Sequence, residues 1–272
     1  MRLKTFPGGI HPHDQKHYSK SATIRKYPTP NRVIIHLSQH IGAPSSPIVE
    51  VGESVLKGQV IAEPSGFVSL MQHASISGKV SKIGKFMHPT GAMSTAIEIT
   101  SDGLDQMVAL DDNENFMELP VESMKERIAN AGICGMGGAG FPSHVKLSPP
   151  ADKPIDVVVL NGVECEPYLT SDYRLMLERA EDILHGLRVI MKVTGAKKGM
   201  IGIEANKPDA IALMENLCAG RKDLEVVALK LQYPQGAEKQ LIFAATGRKV
   251  PAGGLPMAVG VVVQNVGTAV AI

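Results

Sequence analysis

The run IDVVVL at residues 155–160 constrains the fold of this chain more than any other stretch. A strand with one wet face alternates apolar and polar side chains. A near-continuous run of β-branched residues needs cover on both faces, as in a parallel sheet lying between helices. The residues that follow supply that cover. Met176, Ala180, Ile183, Leu184, Leu187, Ile190 and Met191 recur at helical spacing through residues 172–193, and Gly195 ends the pattern. A strand at 200–203, a helix opened by Asn206 with Pro208 in its first turn, a strand at 225–229, a helix at 236–246 and a last strand at 259–263 continue the alternation. Strands alternating with helices predict right-handed crossovers and one parallel α/β sheet, Rossmann-like in its layering.

The first part of the chain has a different texture. Short β-branched runs at 33–37, 60–62, 78–83 and 96–100 are separated by Gly, Pro and Ser, which predicts a β-rich domain over residues 1–105. Within it, VGESVLKGQVIA (51–62) and HASISGKVSKIG (73–84) resemble the hairpins of the lipoyl-like barrel-sandwich hybrid class. That class carries a modified lysine at the turn between the hairpins. Here the turn reads EPSGF (63–67), which disfavours a swinging-arm carrier. Residues 106–120 are acidic and lack a period, as a linker does, leaving residues 121–272 as the α/β domain.

Composition excludes several classes of function. A net charge of +1 over 272 residues gives no global attraction to nucleic acid or to an anionic membrane. No apolar run is long enough to cross a bilayer, and MRLKT at the start has no secretory pattern. The three cysteines, Cys134, Cys165 and Cys218, suit reduced thiols, and none forms a Cys-x-x-Cys pair that would hold zinc or an iron–sulfur cluster. His11, His13 and His17 lack the i, i+4 spacing of a helical metal site, so metal binding there is disfavoured. The apolar ending Ala-Val-Ala-Ile suggests that the native protein is longer.

Against that background stands GMGGAGFPSHVK at residues 135–146. Gly135, Gly137 and Gly140 spell G-x-G-x-x-G, a spacing that lets backbone N–H groups approach a phosphate. A Rossmann fingerprint needs a strand before it. VESMKERIANA at 121–131 reads instead as a helix, with Val121, Met124, Ile128 and Ala131 on one face. The loop by itself is compatible with a plain turn or with a phosphate cradle. Ligands of parallel sheets bind beyond the carboxyl ends of the strands. NGVECEP (161–167), YPQGAE (233–238) and QNVGT (264–268) fall at such ends.

The glycine loop followed by a strand and N-x-x-E-x-E-P resembles the flavin- and NADH-binding subunit of respiratory complex I. FPGGIHP (6–12), NGVECEPYLTSDYRLM (161–176), YPQGAEKQL (233–241) and QNVGTA (264–269) resemble the C subunit of the Rnf electron-transport complex, from about residue 6 to the end of the chain. The resemblance implies an FMN site made by Gly135, Gly137, Gly138 and Gly140, with Lys146, Asn161, Glu164, Asn265 and Thr268. It implies an NADH site that uses Phe141, Glu166 and Glu238. It further implies hydride transfer from NADH to FMN in a peripheral subunit on the cytoplasmic side of a bacterial membrane. The onward [4Fe-4S] clusters of such subunits lie in a C-terminal region not included here. The sequence departs from the complex I pattern at Val163 and Ala237, where that family carries an aspartate and a glutamate. Two alternatives stand beside this one: a flavoprotein cobalamin reductase of the same family, and a flavin-free docking subunit like the A subunit of the sodium-translocating quinone reductase.

Overall fold

The computed structural model describes residues 3–110 and 115–272. Met1 and Arg2 of the start, and residues 111–114 of the expected linker, lie outside the described residues. The chain divides into two compact units, one of Lys26–Val145 and one that joins Met1–Arg25 to Lys146–Ile272. These units cut the chain at different places from the sequence-based division at 105 and 120. The N-terminal segment joins the second unit because its backbone pairs there: Lys4 N–H donates to Ala228 O at 2.9 Å and Lys4 O accepts from Lys230 N–H at 2.9 Å.

The Lys26–Val145 unit contains two antiparallel sheets. One has β1 (Arg32–His36), β7 (Met93–Ser101), β6 (Gly78–Met87) and β3 (Ser54–Val55) in that order, and the other has β2 (Ser46–Pro47), β4 (Val60–Glu63) and β5 (Gln72–His73). Alternation decides what they bury. Ile97 and Ile99 of β7 point inward with Val80 of β6, Ile35 of β1 and Ile61 of β4, and together they form one apolar core. Phe67, in the turn between the two hairpin phrases, is 74% exposed. Helix α1 (Val121–Asn130) follows, burying Met124 and Ile128, and then the glycine loop and the single turn α2 (Ser143–Lys146).

In the other unit β8 (Val157–Gly162), β9 (Lys198–Glu204), β10 (Leu224–Leu229) and β11 (Val261–Asn265) form a parallel sheet in the order β10-β9-β8-β11. Val157 and Val159 pack into a core with Leu241 and Ile242 of α6 (Glu238–Thr246). Val158 and Leu160, equally buried, point to the opposite face, where α3 (Ser171–Glu178), α4 (Ala180–Thr194), α5 (Pro208–Cys218) and α7 (Val266–Ala271) lie. Both faces of β8 are therefore covered, as its unbroken apolar run requires. Each fully buried Val or Leu contributes about 1.5–3 kcal/mol.

Three local expectations need correction. The single helix expected over 172–193 is two helices, broken at Arg179, whose φ of −132° and ψ of 34° are not helical. The break lets α3 pack on α5 and α7 while α4 lies along β8 and β9. The last strand runs Val261–Asn265 rather than 259–263, because Pro256–Val259 forms a 3-10 turn. The polar phrase after it is not an open loop but the start of α7, capped by Asn265, whose Oδ1 accepts from Gly267 N–H at 2.7 Å.

Candidate flavin and dinucleotide site

The glycine loop leaves α1 through Cys134, which bridges to Pro142, and Gly135 N–H donates to Phe141 O at 2.8 Å. The result is a small closed loop with its tip outward. Gly137 and Gly138 are exposed, and Gly137 and Gly140 have φ of 68° and 66°, values at which an L side chain is strained. A Cβ on Gly138 would meet nothing within 4 Å. Gly140 O accepts from Ile41 N–H at 3.0 Å, tying the loop to the β-rich unit, and Phe141 is half-buried at its foot. A helix, not a strand, precedes the loop, which sets it outside the Rossmann arrangement.

The carboxyl ends of the parallel strands gather most of the other expected residues. Asn161, at the end of β8, donates through Nδ2 to Gly236 O at 2.8 Å and accepts at Oδ1 from Val163 N–H at 3.2 Å. Asn265, at the end of β11, donates to Asp172 Oδ2 at 2.7 Å while capping α7, and Thr268 is fully buried in that helix. Lys146 and Glu238, expected to serve different ligands, form an ion pair of 2.8 Å with both side chains partly exposed. Glu166 is exposed. Glu164 is not: its side chain is buried, its Oε1 accepts from Asp172 N–H at 2.7 Å, and its backbone is left-handed with φ of 50°. Val163 lies wholly inside the core, which accounts for an apolar residue where complex I carries an aspartate.

Glu164 belongs to a buried charge network that the sequence did not reveal. Lys16, 4% exposed, faces Glu164 Oε2 at 3.7 Å. Lys207, 1% exposed, donates to Val163 O at 2.7 Å and Asn206 Oδ1 at 3.0 Å and faces Glu204 Oε2 at 3.6 Å. Burial pushes the Glu164 carboxyl up, with the Lys16 and Lys207 ammoniums opposing it, and pushes Asp172 up against its hydrogen bond from Asn265. Glu204 is pushed up by burial to about 7, and Lys207 is pushed down by burial. A carboxylate closing an apolar strand (IGIE) was the one local signal for this network. Nothing near Lys16 in sequence marks it as buried.

The three cysteines are free thiols. Cys165 Sγ accepts from Gly236 N–H at 3.3 Å, and burial raises its pKa. Among the described residues no three His, Cys, Asp or Glu side chains gather to hold a metal ion, and no helix is long and apolar enough to cross a membrane.

Comparison with known proteins identifies the family. The Nuo51 FMN-binding domain matches residues 128–272, and the RnfC barrel sandwich hybrid domain matches residues 4–104. The chain is 52% identical over 99% of its length to the C subunit of the proton-translocating ferredoxin:NAD(+) oxidoreductase complex of Clostridium ljungdahlii. It is 48% identical over 97% to the Na(+)-translocating counterpart of Acetobacterium woodii, and 45% identical over 99% to the C subunit of the ion-translocating oxidoreductase complex of Pseudomonas aeruginosa. It spans 59%, 60% and 35% of those three proteins, respectively. With a Nuo51 FMN-binding domain set behind an RnfC barrel sandwich hybrid domain, the chain belongs to the RnfC family.

Proposed function

We propose that this chain is the NADH-oxidising, FMN-binding part of the C subunit of an ion-translocating ferredoxin:NAD electron-transport complex. The observation that carries the reading is that the exposed glycine loop lies inside the segment matched by the Nuo51 FMN-binding domain. Gly137, Gly138 and Gly140 offer backbone N–H groups to the FMN phosphate, unobstructed by side chains, while Gly135, whose N–H is held by Phe141 O, closes the loop beneath them. Lys146 adds positive charge, steered by Glu238. Asn161 and Asn265 border the flavin ring from the strand ends and Glu164 supports the loop after β8 from below, whereas Thr268, fully buried in α7, lies behind that surface and does not reach the flavin. Phe141 stacks on the adenine of NADH, and the Glu166 and Glu238 carboxylates accept from ribose hydroxyls, which disfavours the 2′-phosphate of NADPH. Bound FMN supplies the hydride acceptor; the chain orients the reactants and excludes water.

Clusters of the [4Fe-4S] type, which none of the described residues could hold, would supply the onward electron path from a region outside residues 1–272. The remaining subunits of the membrane complex are the partners, and the chain sits peripherally on the cytoplasmic side of the bacterial inner membrane. An anaerobic NADH titration of the FMN-loaded chain, after removal of free flavin, tests the reading. Bleaching of the flavin band at stoichiometric NADH is expected. Retention of flavin without bleaching would refute the NADH site, and failure to retain flavin would refute the FMN site in favour of a docking module.

A further inference from the structure

The segment HPHDQKHYS, polar and histidine-rich, has no part in the site as the sequence describes it. In the structure it lies on the loop that follows β8. Lys16 Nζ donates to Glu166 O at 3.0 Å and to Leu169 O, and faces the Glu164 carboxylate. Asp14 O accepts from Tyr168 N–H at 2.8 Å, and Asp14 Oδ2 accepts from Asn206 Nδ2 at 3.1 Å. Ser19 Oγ and Thr170 Oγ1 are 2.8 Å apart, and the Tyr18 and Tyr168 rings stack 6.1 Å apart at 15°.

The loop needs such support. Glu164 and Tyr168 are non-glycine residues at φ of 50° and 69°, conformations that persist only where surrounding contacts over-determine them. One buried ammonium with three donors meets two backbone carbonyls and a carboxylate at once, a task no apolar or acceptor side chain performs. The charges facing it are Glu164, Asp172, Asp14 and Glu204, with Lys207 across the cluster.

We infer that residues 14–19 form a clasp on the 163–170 loop and that Lys16 is a positioning residue, holding Glu166 where it meets the ribose of the dinucleotide. The inference rests on the proposed NADH site for its functional half; the clasp itself is tested without it. Lys16→Met and the double variant Lys16→Met/Glu164→Gln, which also removes the carboxylate left alone, are compared with the parent chain. Hydrogen exchange reads the clasp. Amides of residues 163–170 should exchange at least about tenfold faster in both variants, the opening expected when a charge-assisted hydrogen bond is lost, while β8 and β9 stay protected.

NADH titration of the FMN-loaded chains reads the positioning. Half-bleaching should need at least about tenfold more NADH per bound flavin in both variants, with flavin content unchanged in Lys16→Met. Thermal stability should be recovered in the double variant only. If Lys16→Met does not fold, the double variant decides. Unchanged exchange of residues 163–170 overturns the clasp. Faster exchange with an unchanged NADH requirement overturns the positioning role, as does a double variant restored to parental behaviour in both readouts. A parent chain that binds no NADH overturns the dinucleotide reading and leaves the exchange result to stand or fall separately.

Discussion

Lys207→Met isolates the contribution of a buried ion pair, because the pair can be switched off by pH. The side chains of Lys207 and Glu204 are 1% and 0% exposed, and Glu204 Oε2 has no hydrogen-bond partner among the described residues, facing the Lys207 ammonium at 3.6 Å, with the Lys16 ammonium acting more weakly. Glu204 sits at about 7 in the folded chain against an ordinary 4.5. The folded state therefore holds a proton that the unfolded state releases, and the stability this contributes is full below pH 4.5 and lost as pH rises through 7. At pH 5.5 Glu204 is mostly neutral with or without Lys207. The variant then loses the hydrogen bonds to Val163 O and Asn206 Oδ1, about 1–3 kcal/mol, together with the pull of the ammonium on Glu164 and Asp172, which acts at both pH values. At pH 8.5 the parent holds a charged pair, whereas the variant must bury a lone carboxylate or bind a proton from dilute solution, and the loss approaches about 3–5 kcal/mol.

Urea unfolding followed by far-UV circular dichroism measures both values. Helices α3 to α7 all belong to the parallel-sheet unit, so the helical signal reports mainly on that unit. An equal loss at the two pH values, or a larger one at pH 5.5, would refute the pairing argument. Adding Glu204→Gln to Lys207→Met should return most of the loss at pH 8.5, since the stranded charge is then gone.

A Cβ on Gly186 of α4 would stand 1.9 Å from Ala269 O of α7, so Gly186→Ala should force the helices apart and cost about 1–3 kcal/mol or more, read as a lower melting temperature. Val163→Asp, which restores the complex I residue, should not strengthen flavin binding; it places a carboxyl among fully buried apolar side chains and should lower stability by about 3 kcal/mol, more at alkaline than at acid pH. Gly137→Ala, at φ of 68°, should cost about 1–2 kcal/mol and lower FMN affinity roughly fivefold or more by equilibrium dialysis. Gly138→Ala, with open space around its Cβ, should leave stability unchanged.

What the sequence revealed and what it hid have physical causes. The apolar run of β8 and the alternation after it announced the parallel sheet, because burial on both faces leaves a pattern within a few residues. The break at Arg179 left no such mark. Arg179 is polar, pairs with Asp182 and suits a solvent position in one long helix or between two short ones. The polar Gln264, Asn265 and Thr268 predict a ligand loop where α7 lies; in the structure Asn265 caps that helix and Gly186 admits it against α4. Both contacts are made by residues distant in sequence or by a cap that doubles as a loop signal. Lys16 is the extreme case, since its acceptors lie 150 and 153 positions away.

The same contacts bear on how a ligand can be recognised at the strand ends. Asn161 commits its amide to Gly236 and Val163, Asn265 to Asp172 and the first turn of α7, and Lys146 to Glu238. Glu164, Asp172 and Glu204 are answered from within by Lys16, Asn265 and Lys207. Most polar side chains here therefore orient backbone and one another rather than wait for a partner, and a site held this rigidly loses little entropy when it binds. On the site proposed above, substitutions of Lys16, Lys207 and Glu204, which have no place in it, should change affinity through the loop they hold, whereas substitutions of exposed Glu166 should change affinity while leaving the fold intact.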